Sequence, residues 1–118
     1  MYKYYNANPH HRHIDDCVIR ALSLLTNKSW NELYDELSDI SNNQGYMVDN
    51  VEFVEDYLDK RYKRECHYSK TLEEFVKEFP YGKYAVTMNG HITSVIDGVI
   101  YDTFDPSKRV IRCSWKIE

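Results

Sequence analysis

Cys17 is the residue from which chemistry is most readily built in this sequence. It stands in "DDCVIRALS", residues 15 to 23, behind two carboxylates and ahead of an amphipathic run. A cysteine in the first turn of a helix meets outward-pointing backbone N–H groups and the positive end of the helix dipole, both of which favour a thiolate. A thiol nucleophile also needs a base within hydrogen-bond reach and a third group that orients the base. His91 is the best-placed base, because it opens a strand immediately after Asn89-Gly90. Asp102 and Asp105 follow on the next strand as candidates for the orienting acid. Each residue alone has an ordinary role: free cysteine is commonly interior, and a histidine or aspartate beside a turn often only satisfies backbone groups. The chemical reading comes from the three together, in this order and on these elements.

The strand pairing chooses between the two acids. With Asp97-Gly98 as a two-residue turn, Ile96 faces Val99, Thr93 faces Asp102 and His91 faces Phe104. His91, Thr93 and Val95 then share a face with Ile100, Asp102 and Phe104. Asp102 lies diagonal to His91, about 7–8 Å away between backbones, a gap two polar side chains can span. Asp105 falls on the opposite face unless a bulge intervenes, so Asp102 is the expected acid and Asp105 the reserve.

The elements that must carry these residues follow from period and capping. Val18, Ala21, Leu22 and Leu25 keep helical spacing behind Asp15 or Asp16, which predicts a helix from about 16 to 26 with Cys17 in its first turn. Ser29 with Glu32 matches a capping box for a second helix bearing Trp30, Leu33, Tyr34 and Leu37, and "SDISNNQG" reads as a polar loop. Asp49 or Asn50 caps a third helix, and Thr71 with Glu74 opens a fourth. After "PYGK" the period changes. "YAVTM", "HITSVI", "VIYDTF" and "VIRCSW" are strands divided by turn chemistry, which predicts an antiparallel meander. Helices first and an antiparallel sheet second make an α+β domain, with no repeat or linker inside residues 1–118 to divide it.

Composition limits the partners. At 118 residues the chain is sized for one domain with a real core. A net charge of −4 argues against nucleic acid or an anionic membrane surface as the main partner, and no run approaches the ~20 apolar residues of a membrane span. "MYKYYNANPHHRH" lacks the apolar stretch of a signal peptide, and three scattered cysteines make no disulfide framework, so a reduced, cytoplasmic protein is expected. Cys66 and Cys113 read as structural. His10, His11, His13 and Cys17 crowd eight residues, but "HHRH" lacks zinc-site spacing and a second ligand pair, so neither metal nor cofactor is expected. The 11 tyrosines are read mainly as core-completing amphipathic aromatics.

In the order Cys17, His91, Asp102 the chain resembles the papain-like cysteine peptidase superfamily, particularly compact members such as bacteriocin-processing peptidases and josephin-type deubiquitinases. "DDCVIRALS" looks like its cysteine helix, and "GHITSVIDGVIYDTFDP" like its histidine hairpin with the acid. The resemblance covers both ends of the chain and leaves residues 27 to 80 unmatched. It implies a papain-like fold and a thiol hydrolase acting on a peptide, isopeptide or amide bond of a protein or peptide substrate, with Cys17 as nucleophile. Deamidation and acyl transfer use the same three residues. The superfamily usually places a glutamine before the cysteine to complete the oxyanion hole. Here His11 occupies the nearest equivalent position, with His13 or the Asn8 amide as second choices. That departure keeps open a different class: a noncatalytic papain-like module that holds a partner peptide in its cleft.

Overall fold

The computed structural model describes residues 1–12 and 15–118; His13, one of the expected oxyanion candidates, lies outside them. In chain order the elements are β1 (Tyr2–Tyr4), α1 (Cys17–Thr26), α2 (Trp30–Gln44), α3 (Val51–Asp59), β2 (Arg64–Cys66), α4 (Leu72–Glu78), β3 (Lys83–Met88), β4 (His91–Ile96), β5 (Val99–Asp102) and β6 (Ile111–Lys116). The strands form one sheet in the order β1-β5-β4-β3-β6-β2. The domain is α+β, and its sheet is mixed.

Three of the four helices begin as their sequences dictate. Ser29 and Thr71 each accept from the backbone three residues on, while Glu32 and Glu74 return the bond as capping boxes. Asn50 rather than Asp49 caps α3, accepting from the Phe53 N–H. At α1 the expected cap is present in position only: Asp16 stands at the N-cap and its side chain makes no capping bond. "SDISNNQG" is corrected from loop to helix. α2 runs to Gln44 and stops at Gly45, whose φ of 79° gives the left-handed C-cap. Its buried positions are Leu33, Leu37 and Ser41, so the inward stripe continues in a polar residue.

The expected meander is also corrected. β3, β4 and β5 are successive antiparallel neighbours, but β6 returns to pair with β3 on the other side, and β1 lies parallel to β5. The β4–β5 register is the one that a two-residue turn requires, with Ile96 facing Val99, Val95 facing Ile100 and Ser94 facing Tyr101. Asp97 and Gly98 both take positive φ, 48° and 76°, as a tight hairpin turn of this hand demands.

The sheet is covered on both faces. One cluster joins α1, α2 and α3 to Ala85, Ile92, Cys113 and Trp115. A second joins α4 to Tyr84, Val86, Val95, Ile100 and Ile111. Alternate residues of β3 thus feed different clusters, as the period of a strand requires. Among the described residues no helix is long and apolar enough to cross a membrane.

Candidate active site

α1 starts at Cys17, so the thiol occupies the first helical position, half-buried. Val18, Ile19, Leu22 and Leu25 fix the helix by burial in the larger cluster. Cys17 and His91 line the same cleft, of about 490 Å³, together with Val18, Met88, Phe104 and Arg112. The cleft opens where the start of α1 meets the start of β4.

His91 lies between Cys17 and Asp102. Its Nε2 stands 2.6 Å from Asp102 Oδ2. An ionised carboxylate can only accept, so Nε2 carries the hydrogen, and Nδ1 is the ring nitrogen left for the thiol. Cys17 lies close enough to that ring, across the same cleft, to favour its charged form. The Phe104 ring covers the imidazole at 4.8 Å between centroids. Burial works against charge on His91, but the Asp102 hydrogen bond and the nearby Cys17 outweigh it and raise its pKa to about 9. Burial likewise opposes charge on Asp102, and the His91, Thr93 and Thr103 hydrogen bonds overcome it, holding the carboxyl below the usual aspartate value. At neutral pH the site therefore contains an imidazolium beside a sulfur atom, which is the arrangement that supports a thiolate.

Asp105 takes no part. Its carboxylate accepts from the Ser107 N–H in an exposed turn, whereas Asp102 is 3% exposed and also accepts from Thr93 Oγ1 at 2.6 Å. Asn8 and His11 are held in a turn of the lead-in. Asn8 is buried, and its Oδ1 accepts from the His10 N–H at 2.9 Å, holding a turn closed by His11 N–H to Asn8 O. His11 is exposed with a left-handed backbone. Neither is among the described residues that line the cleft.

Two further features were not signalled by the sequence. Arg20, which an amphipathic reading assigns to solvent, reaches Asp102 Oδ1 at 3.2 Å and Asp16 Oδ1 at 2.7 Å. Cys66 and Cys113 face each other across β2 and β6 with sulfurs 3.2 Å apart, as free thiols. Burial, then the Cys66 contact, pushes the Cys113 thiol up to about 11, the opposite environment to an imidazolium neighbour. Comparison with known proteins returned no match to this chain among family models, curated proteins or solved structures.

Proposed function

We propose that this protein is a thiol hydrolase of papain-like architecture, in which Cys17 attacks the carbonyl of a peptide, isopeptide or side-chain amide. The observation that carries the reading is one imidazole, His91, bonded to Asp102 through Nε2 with its other nitrogen left for Cys17. In the resting pair the Cys17 proton already lies on His91 Nδ1, so a thiolate stands beside an imidazolium. Sulfur adds to the carbonyl carbon, and the carbonyl oxygen takes the negative charge. Cys17 is the first residue of α1, so its backbone N–H has no partner within the helix and can donate to that oxygen. His91 then returns its proton to the departing nitrogen, which leaves as an amine or ammonia and yields a thioester. Water, deprotonated by His91, releases the acid and restores the ion pair. Throughout, Asp102 holds the ring so that its free nitrogen faces sulfur.

Acylation by p-nitrophenyl acetate tests the reading without knowledge of the substrate. Intact and peptide mass spectrometry should find an acetyl group on Cys17 that disappears with time. His91→Ala should slow its formation by about 10²–10⁴-fold, the contribution usual for a positioned base. Acetylation confined to Cys66, or equal in the His91 variant, overturns it. That Asn8 and His11 are not among the described residues lining the cleft favours a second reading, a papain-like module that binds a peptide without cleaving it. A Cys17 adduct that forms at the wild-type rate and never turns over supports that module. His11→Ala reports on the lead-in: slower acetyl turnover with unchanged alkylation of Cys17 assigns His11 to the oxyanion.

A further inference from the structure

The chain of contacts that starts at Cys17 does not end at the acid. The buried Asp102 carboxylate receives four donors. His91 Nε2 and Thr93 Oγ1 reach Oδ2 at 2.6 Å each, while the Thr103 N–H at 2.7 Å and Arg20 Nη1 at 3.2 Å reach Oδ1. A carboxylate offers about four lone-pair sites, so this one is saturated and its plane is fixed. Three of the donors come from the hairpin and its continuation. Arg20 alone comes from the helix that carries the nucleophile.

Arg20 is itself held. Its Nε donates to Asp16 Oδ1 at 2.7 Å, and the other Asp16 oxygen accepts from Trp30 Nε1 at 2.9 Å, at the first residue of α2. Asp16 therefore ties α1 to Arg20 and Trp30 and makes no capping bond to the helix. Arg20 also donates to Thr103 Oγ1 at 3.0 Å, and its side chain is only 11% exposed. It follows Cys17 by three residues, so both lie on one face of the helix. One helical turn therefore presents the thiol to His91 and a planar guanidinium to the acid behind His91. Charge points the same way. Arg20 is the cation shared by the Asp16 and Asp102 carboxylates, beside a Cys17 cleft that also carries Asp15, Asp49, Glu55 and Arg112.

We propose that Arg20 is a positioning residue: braced on Asp16, it fixes the Asp102 carboxylate relative to the helix that bears Cys17, and thereby the orientation of His91. The proposal rests on the thiol-hydrolase reading above. The test is the pH dependence of Cys17 alkylation by iodoacetamide, followed by peptide mass spectrometry on the full chain, together with NMR titration of His91. Wild type should alkylate at Cys17 faster than at Cys66, down to about pH 6. Arg20→Met should lose about tenfold to a hundredfold of that rate at low pH, the scale of a small misplacement, and its His91 pKa should fall. Arg20→Lys should be intermediate, since an ammonium can hold one carboxylate but not fork between two. A folded Arg20→Met with the wild-type profile overturns the proposal. So does a rise in its His91 pKa, because that would make Arg20 a screen of Asp102's charge rather than its anchor. If Arg20→Met fails to fold, Arg20→Lys decides: the wild-type profile in that variant overturns the proposal. Wild-type Cys17 reacting no faster than Cys66 is a different failure, that of the hydrolase reading, and it takes the proposal with it.

Discussion

A buried imidazole between a carboxylate and a thiol answers to opposing forces, and His91 shows which of them wins. Burial alone would drive it neutral; Asp102 and Cys17 reverse that. Asp102→Ala should therefore bring the His91 pKa down from about 9 to 6.5 or lower, while Asp105→Ala should leave it in place, as NMR titration of the two variants would show. The shift also fixes how stability depends on pH. The folded pKa lies above the ordinary histidine value, so the contribution is complete below pH 6.5 and is lost as pH rises through 9. The melting temperature gap between wild type and His91→Gln should be widest near about pH 6 and should close by about pH 10. Asp102 has the opposite sign: its contribution is present above 3.8 and is lost as pH falls through its lowered value. At this scale much of the arrangement was legible. A two-residue turn at Asp97-Gly98 leaves a single register, and that register places Asp102 rather than Asp105 beside His91. Arg20 was not legible, because its partner Asp102 lies 82 residues away and nothing local marks an arginine on an amphipathic helix as buried.

Between elements, the least conspicuous strand bears directly on the acid. The Tyr5 N–H donates to the Asp102 carbonyl at 2.8 Å and the Tyr2 hydroxyl donates to the same oxygen at 3.0 Å, while β1 covers an edge of β5 that would otherwise be open. Removing residues 1–5 should slow Cys17 alkylation at low pH by about tenfold through a displaced acid. The circular dichroism spectrum should stay close to wild type, because Tyr2 is the only one of the five associated with a core cluster. β1 and β2 escaped the sequence reading because each is three residues long and mostly exposed, leaving no alternation to detect. The tail of α2 escaped for a related reason: its inward stripe ends in Ser41, and a hydrophobic period cannot be followed through a serine. The four longer runs after residue 82 were legible as strands. Their order was not, since alternation specifies which side is buried and not which strand lies alongside.

For the molecule as a whole, the sheet is the wall between two cores, and Trp115 on β6 is its largest fully buried side chain. Its indole Nε1–H also bonds Asp59 Oδ1 at 2.9 Å, fastening the end of α3 to the sheet. Trp115→Ala should cost about 3–5 kcal/mol, read in urea as a lower midpoint with an unchanged slope.

The parallel pairing of β1 with β5 sets a schedule as well as a shape. Residues 2–4 are among the first of this sequence to be made, and their partners at 100–102 come nearly a hundred residues later. Cys17 precedes His91 by 74 positions and Asp102 by 85. At a synthesis rate of about 5–20 residues per second, the thiol spends roughly 4 to 17 seconds on the growing chain before its acid exists. During that interval Cys17 lacks the carboxylate that orients His91, and the constellation of the cleft cannot yet form. Within residues 1–118 the hairpin that completes the cleft is translated long after the helix that bears the thiol, so the order of the strands makes the thiol wait for its partners.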